Sequence, residues 1–270
     1  MRIAVFQGPL EGGDVGRNLE RLAAVADAAA GRGARLLVCP EMFLTGYNIG
    51  AEAVKRLAEP VDGPSAAAAA GIARKCGIAL LYGYPEAGPD GRVYNAALLL
   101  GPDGARLANH RKTHLFGPDE RDAFAPGEGP PTVAGLGGMR LGILICYDVE
   151  FPENVRLLAL EGVELVAVPT ALMEPYQFVA RSMVPTRAYE NQIFLAYANR
   201  CGREGGLVYH GLSCIVGPDG RDLARAPATG EALIVAELDR GLLQASRRLN
   251  PYLADRRPAL YRALAAERPA

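Results

Sequence analysis

Three short segments of the sequence place a chemically active side chain beside an apolar run. Residues 36–41 read LLVCPE, so a proline and Glu41 follow a predicted buried strand. Residues 141–148 read LGILICYD, in which Cys146 ends a very apolar strand, and Lys112 lies in the segment HRKTHLF after a predicted hairpin. A thiolate can attack a carbonyl carbon, a carboxylate can transfer protons and an ammonium can stabilise an oxyanion. The set favours acyl transfer through a covalent intermediate.

Cys146 is the preferred nucleophile because a predicted helix follows it closely. A helix N-terminus stabilises a thiolate and so lowers the pKa of a nearby thiol. The remaining cysteines are interpreted as packing residues, as free cysteines usually are. These are Cys39, Cys76, Cys201 and Cys214.

The elements that would position these residues alternate between strands and helices. Apolar runs predict strands at 2–7, 36–39 and 78–84, and helical spacing predicts helices at 15–30 and 65–76. Further strands are predicted at 141–146, 165–169, 194–198 and 232–237, with a helix after Pro152 and another at 176–191. This order is typical of an α/β sheet, in which catalytic groups favour the carboxyl ends of strands.

A weak internal repeat suggests how the elements are layered. The segments NAALLLGPDGARLA and LSCIVGPDGRDLA share a GPDG turn between two strand-like runs, which predicts a hairpin in each half of the chain. Two similar halves would each form a mixed sheet with helices on one face. Packing the sheets face to face gives a four-layer α-β-β-α sandwich, predicted here as one domain over residues 1–270.

Composition excludes several functional classes. The 270 residues carry a net charge of −1, which does not suit a nucleic-acid partner. The longest run free of Asp, Glu, Lys and Arg is 14 residues, at 205–218, which is too short to span a membrane. The five cysteines form no CxxC pair, which argues against a zinc site and a disulfide framework. A reducing, cytoplasmic location is the default expectation.

The segments CPEMFLTGY, HRKTHLF and LGILICYDVEFPE, in this order and spacing, resemble the three signatures of the nitrilase superfamily, the carbon–nitrogen hydrolases. The resemblance implies an α-β-β-α sandwich with Cys146 as nucleophile and Glu41 as general base and later acid. It implies that Lys112 and the backbone N–H of Tyr147 stabilise the tetrahedral intermediate. Glu120, in GPDERDAF, is the best match to a supporting second glutamate. No metal or organic cofactor is implied.

Hydrolysis of a small carboxamide to an acid and ammonia, through a thioester, is the expected activity. Nitrilases of this family typically carry Trp-Glu after the cysteine, whereas this chain has Tyr147-Asp148 and no tryptophan. N-carbamoyl hydrolysis is a further alternative, although carbamoylases for amino acids typically need basic residues near the nucleophile and this chain has Val149 and Glu150 there. Recognition of a carboxylate as in ω-amidases is disfavoured likewise, because their similar motif often has arginine where Glu150 stands. An inactive binding protein and a Cys–His hydrolase using His110 or His114 remain as alternatives from other classes; a mainly structural role is expected for His114.

Two further expectations concern the substrate pocket and the assembly. A partly aromatic, compact pocket is predicted from Tyr47, Phe116, Tyr147, Ala171 and Met173. With Glu150 and Glu174 nearby and no arginine in residues 146–151, a neutral or amine-bearing amide is expected. A homodimer or larger homo-oligomer is predicted through the helix after Cys146 and the segment 240–270. The apolar residues suggested for these contacts are Phe151, Leu157, Leu158, Tyr252, Leu253, Leu260 and Tyr261.

Overall fold

A computed structural model describes residues 1–265 of the chain. The strands are β1 Arg2–Gln7, β2 Leu36–Val38, β3 Ala79–Ala87, β4 Val93–Leu100, β5 Arg106–Arg111, β6 Thr132–Leu136, β7 Met139–Ile143, β8 Leu165–Pro169, β9 Phe194–Ala198, β10 Cys201–Glu204, β11 Leu207–His210, β12 Cys214–Val216, β13 Asp222–Arg225 and β14 Ala232–Glu237. The α-helices are α1 Val15–Gly31, α2 Ala51–Leu57, α3 Pro64–Cys76, α4 Gly117–Ala123, α5 Pro152–Leu160, α6 Val184–Asn191, α7 Arg240–Leu249 and α8 Tyr252–Asp255. Short 3₁₀ helices span Cys146–Glu150 and Pro258–Ala265, and a π-helical turn spans Val179–Met183.

Twelve of these strands form two mixed sheets of the same design. The first sheet has the order β14-β1-β2-β3-β4-β5, and the second has the order β6-β7-β8-β9-β12-β13. Read in those directions, both sheets show one antiparallel, two parallel and then two antiparallel pairings. The predicted internal repeat is therefore a repeat of sheet topology.

The two sheets pack face to face through a continuous apolar core. The inward side chains of the first sheet, such as Val5 and Leu81, share this core with those of the second, such as Ile143 and Ile215. The outer face of the first sheet is covered by α1 and α3, and that of the second by α5 and α6. This confirms the predicted four-layer α-β-β-α sandwich.

The two GPDG segments form the predicted hairpins, β4–β5 and β12–β13. In both turns the final glycine has a positive φ, +77° at Gly104 and +76° at Gly220, which only glycine adopts without strain. In both turns the aspartate side chain accepts a hydrogen bond from a backbone N–H two residues later, at 3.0 Å from Ala105 and 3.2 Å from Arg221. The shared turn chemistry explains why the same four residues recur.

The structure corrects several local predictions. The helix predicted at 176–191 contains a π-helical turn before α6, and the short helices α2 and α4 were not expected. The hairpin β10–β11 was also missed; its sequence, CGREGGLVYH, has little apolar alternation. Leu158, suggested for an oligomer contact, is instead buried on the inner face of α5, where it packs over Gly142. Within the predicted C-terminal segment 240–270, residues 266–270 lie outside the described residues.

Candidate active site

Loops at the ends of three strands bring Glu41, Lys112 and Cys146 into one buried cluster. Glu41 follows β2, Lys112 follows β5 and Cys146 follows β7. The Glu41 backbone N–H donates to the carbonyl of Thr170, 3.3 Å away, at the end of β8 in the other sheet. The next residue, Ala171, is fully buried close to Cys146. The cluster is therefore assembled across the interface between the two sheets.

Lys112 is held between two carboxylates. Its Nζ donates to Oε1 of Glu41 at 2.7 Å and to Oε1 of Glu120 at 2.6 Å. All three side chains are buried. Burial alone would lower the pKa of Lys112, but the negative charges of Glu120 and Glu41 raise it well above its ordinary value. Lys112 is thus a permanently charged ammonium, suited to stabilising negative charge on a substrate oxygen.

Glu41 has one carboxylate oxygen occupied and one open. Its Oε1 accepts hydrogen bonds from Lys112 and from Asn95 Nδ2, the latter at 2.7 Å. Its Oε2 is buried and has no hydrogen-bond partner within residues 1–265. Burial raises the pKa of Glu41 above the ordinary glutamate value, although Lys112 acts in the opposite direction. A raised pKa and a free oxygen are the properties of a general base that later acts as an acid.

Cys146 lies on a strained turn between β7 and the following 3₁₀ helix. Its φ is +47°, in the left-handed region that non-glycine residues rarely adopt. Such strain is often found at active sites, where it exposes or orients a nucleophile. Burial raises the pKa of the Cys146 thiol well above its usual value, and Glu41 raises it further. Burial and Glu41 thus outweigh the thiolate stabilisation expected from the following helix, so Cys146 needs a base such as Glu41 to take its proton.

Asp148 fixes the Cys146 turn to the segment that follows Lys112. Its Oδ2 accepts from the backbone N–H of Ile145 at 3.1 Å, while its Oδ1 accepts from the backbone N–H groups of Thr113 and His114 at 3.2 and 2.9 Å. Burial alone would raise the pKa of Asp148, but hydrogen bonds from the histidines around it hold that pKa below its ordinary value. One buried carboxylate thus sets the relative position of nucleophile and ammonium.

The two histidines of the HRKTHLF segment contact Asp148 and not the thiol. His114 Nδ1 lies 3.0 Å from Oδ1 of Asp148, and its ring stacks on Phe151 with centroids 4.0 Å apart. His110 Nε2 lies 3.4 Å from Oδ2 of the same carboxylate. These contacts agree with the structural role expected for His114.

A cavity of about 570 Å³ opens beside Glu120. Three of the five residues predicted to line a pocket lie on its wall, namely Tyr47, Phe116 and Met173. The other two do not line this cavity: the ring of Tyr147 packs against that of Phe116 with centroids 5.3 Å apart, and Ala171 is fully buried close to Cys146. The cavity wall also contains Asp119, Asp122 and Glu174 and no lysine or arginine, so its charge is negative.

Three functional contacts could not be read from the sequence. Asn95 reaches Glu41 from β4, which is separated from β2 by β3 in the sheet, and its only signal was an amide in an otherwise apolar strand. Asp148 was visible only as the residue two places after the cysteine. Glu204 lies in the hairpin β10–β11, which was not predicted, and accepts hydrogen bonds from the backbone N–H groups of Tyr47 and Asn48.

Within the described part of the chain, no group of three or more His, Cys, Asp or Glu side chains is arranged to hold a metal ion. Over the same residues, no helix is long and apolar enough to cross a membrane.

The sequence profile of the carbon–nitrogen hydrolase family matches residues 2–248. A protein of Pseudomonas protegens named "Hydrolase in pqqF 5'region" is 54% identical over 261 residues, covering 97% of this chain and 90% of that protein. An "(R)-stereoselective amidase" of a Pseudomonas species is 41% identical over 259 residues, covering 95% and 92%.

Solved structures give the same result. A mutant of the Nesterenkonia AN1 amidase, described as a member of the nitrilase superfamily, has a TM-score of 0.84 and 41% identity, covering 98% of this chain and 97% of that chain. A mutant of the same amidase in complex with butyramide has a TM-score of 0.83 and 40% identity, covering 97% and 96%.

The sandwich of two mixed sheets and the buried Glu–Lys–Cys cluster define a hydrolase of the nitrilase type. The chain belongs to the carbon–nitrogen hydrolase family.

Proposed function

We propose that this enzyme hydrolyses a small carboxamide to a carboxylic acid and ammonia through a thioester on Cys146. The observation that carries the proposal is the open Oε2 of Glu41 in a buried cluster that also holds a charged Lys112 and a neutral thiol. The similarity to amidases supports the same reaction class. One Nesterenkonia amidase structure shows the acetamide moiety of fluoroacetamide added covalently at its active-site cysteine, which supports a nucleophilic role for the cysteine.

In the proposed first half-reaction, the substrate carbonyl lies between Cys146 and Lys112. Glu41 accepts the thiol proton as the sulfur attacks the carbonyl carbon. The oxyanion of the tetrahedral intermediate is stabilised by the Lys112 ammonium and the backbone N–H of Tyr147. Glu41 then donates its proton to the leaving nitrogen, the C–N bond breaks and ammonia departs.

In the second half-reaction, water replaces ammonia. Glu41 is again a carboxylate and takes a proton from the water as it attacks the thioester. Collapse of the second tetrahedral intermediate breaks the C–S bond, releases the acid and returns the proton to Cys146. Each step uses only these three side chains and one backbone N–H, so the cycle closes with the amide and water as its only reactants.

Replacing the nucleophile tests the mechanism. Cys146→Ala is expected to remove activity by a factor of about 10⁴ or more, because the covalent route is lost. Ammonia release from a short aliphatic amide gives the rate, and intact-mass spectrometry with a slow substrate detects the acyl adduct. Cys214→Ala is the matched control, since Cys214 is equally buried in β12 and away from the cluster. An equal adduct on Cys146→Ala and wild type would overturn the assignment.

The negative cavity wall supports a neutral or amine-bearing amide as substrate. Asp119, Asp122 and Glu174 on the wall would repel a substrate carboxylate. We expect kcat/KM to be higher for a neutral aliphatic amide and for an amino-acid amide than for a carboxylate-bearing amide. A panel that adds nitriles and N-carbamoyl amino acids separates the alternative activities. A tenfold preference for the carboxylate-bearing amide, worth about 1.4 kcal/mol, would contradict the pocket assignment while leaving the mechanism intact.

A further inference from the structure

The hairpin β10–β11 contacts two segments of the cavity wall. On one side, the backbone N–H of Glu174 donates to the carbonyl of Val208 at 2.9 Å, and Met173 pairs with Tyr209 as an isolated bridge. On the other side, the carboxylate of Glu204 faces the loop that follows Glu41. The hairpin thus connects the part of the cavity wall at Met173 and Glu174 to the part at Tyr47 and Asn48.

Glu204 is the centre of a dense hydrogen-bond network. Its two oxygens accept from Nη1 and Nη2 of Arg200 at 2.8 and 3.0 Å, and Oε2 also accepts from the Tyr209 hydroxyl at 2.8 Å. The same carboxylate accepts from the backbone N–H of Tyr47 at 3.2 Å and from that of Asn48 at 2.7 Å. The Arg200 side chain is 1% exposed and that of Glu204 is 8% exposed.

The loop that follows Glu41 packs closely against the Glu204 carboxylate. Gly46 has a φ of +86°, and a Cβ at that position would lie 2.5 Å from Oε1 of Glu204 and 3.0 Å from Cα of Gly12. Only glycine therefore allows the loop to approach. A buried ion pair repays its desolvation poorly, so stability alone is a weak reason to keep one here. Holding the backbone at Tyr47 is a more specific consequence of the network.

Tyr47, whose backbone N–H is bound by Glu204, contacts the proposed catalytic cluster directly. The Tyr47 hydroxyl donates to Oε1 of Glu120 at 2.8 Å, and the same oxygen accepts from Lys112 Nζ at 2.6 Å. We propose that Glu204 is a positioning residue for the hydrolytic reaction, which it serves by fixing Tyr47 so that Tyr47 holds Glu120 against Lys112. This inference rests on the proposed function.

A double-mutant cycle tests the connection. Tyr47→Phe removes the hydroxyl and keeps the ring. Glu204→Gln weakens the hydrogen bonds that the Glu204 side chain accepts from the loop backbone. Each single variant should lower kcat about tenfold, with KM changed less than threefold, because the loss falls on the ammonium that acts in the transition state. The double variant should be no more than about twofold slower than the slower single variant, since both changes break one chain of contacts.

Tyr82→Phe is the matched control. The Tyr82 hydroxyl is fully buried and has no hydrogen-bond partner among residues 1–265, so its removal should leave kcat unchanged. If folded Glu204→Gln keeps kcat within twofold of wild type, or if the losses multiply in the double variant, the positioning role is wrong. If Glu204→Gln does not fold, Glu204→Asp replaces it in the same cycle with the same criteria, because it retains a carboxylate for Arg200.

A second readout does not depend on amide hydrolysis. The Lys112 ammonium stabilises the thiolate through which Cys146 reacts, so displacement of the ammonium should slow alkylation of Cys146 by iodoacetamide. Peptide mass spectrometry measures the rate of this alkylation. We expect at least a threefold slower alkylation in Tyr47→Phe and in the Glu204 variant, and an unchanged rate in Tyr82→Phe. An unchanged rate in all variants would overturn the inference. Absence of amidase activity in wild type, with these alkylation differences intact, would instead refute only the proposed function.

Discussion

Asn95 donates to the same Glu41 oxygen that accepts from Lys112, at a distance of 2.7 Å. In the proposed mechanism Glu41 must be ionised to accept the thiol proton, and its pKa is raised by burial. The rate should therefore fall as the pH drops through this raised pKa, at a higher pH than an exposed glutamate would give. Asn95 favours the charged form and so limits how far the pKa rises.

Asn95→Leu should consequently move the acid limb of the kcat/KM profile to higher pH. A hydrogen bond to a charged group contributes about 1.5 kcal/mol or more, which corresponds to a movement of about one pH unit. The measurement is kcat/KM against pH, which reports groups of the free enzyme. Asn109→Leu is the control, because Asn109 on β5 bonds to Glu86 and not to Glu41. An acid limb that stays in place in Asn95→Leu would show that Glu41 does not control it.

At the scale of single elements, the positions of the catalytic loops depend on close backbone packing. Glu41 sits in a loop whose next residue, Met42, has a φ of +50°. The loop crosses β3 at Gly83, where a Cβ would lie 2.3 Å from the Met42 nitrogen and 2.8 Å from the Glu41 Cα. Because these neighbours are backbone atoms, the loop must move if a side chain is added.

Gly83→Ala should therefore reduce activity more than it reduces folding. A displacement of about 1 Å at a catalytic group can cost about 100-fold in rate, and we expect kcat to fall by that order. Thermal unfolding and circular dichroism would show whether the variant remains folded. Gly71→Ala in α3 is the control, since a Cβ there meets nothing within 4 Å and helix propensity improves. Full activity in a folded Gly83→Ala variant would contradict the proposed role of this contact.

Element types were predictable from the sequence where one local signal was sufficient. The GPDG turns specify their own backbone geometry, and strand β14 was predicted with the bounds that the structure shows, Ala232–Glu237. The grouping of Glu41, Lys112 and Cys146 followed from their positions after predicted strands, and the motif resemblance assigned their roles. Contacts such as Asn95 with Glu41 join residues 54 positions apart and leave no local pattern. The raised pKa of the Cys146 thiol left no local signal either, because it depends on burial and on the distant Glu41.

At the scale of the whole molecule, the proposed active site requires both halves of the repeat. Glu41 and Lys112 follow strands of the first sheet, while Cys146 and Ala171 follow strands of the second. Neither half alone contains base, ammonium and nucleophile. The apolar core between the sheets therefore also sets the distance between the proposed reacting groups. The proposed reaction thus depends on how the two sheets pack face to face.

The outer surface around α5 supports the proposed self-association. Leu157 and Leu160 on this helix are 48% and 47% exposed, and Tyr261 and Leu264 of the C-terminal segment border the same groove as Arg156 of α5. Exposed apolar side chains that cluster on one surface are typical of protein–protein interfaces. A second copy of the chain could cover this surface across a two-fold axis, with the same residues on each partner.

We expect light scattering at micromolar concentration to give at least twice the chain mass of 28.6 kDa. Leu157→Glu should shift the protein toward the monomer, because a charge in the centre of an apolar contact is left desolvated and unpaired. Leu107→Glu provides the control, since Leu107 is also an exposed leucine, at 39%, but lies on β5 at the edge of the first sheet. A wild-type mass of 28.6 kDa would remove the prediction, and equal masses for wild type and Leu157→Glu would place the contact elsewhere on the surface.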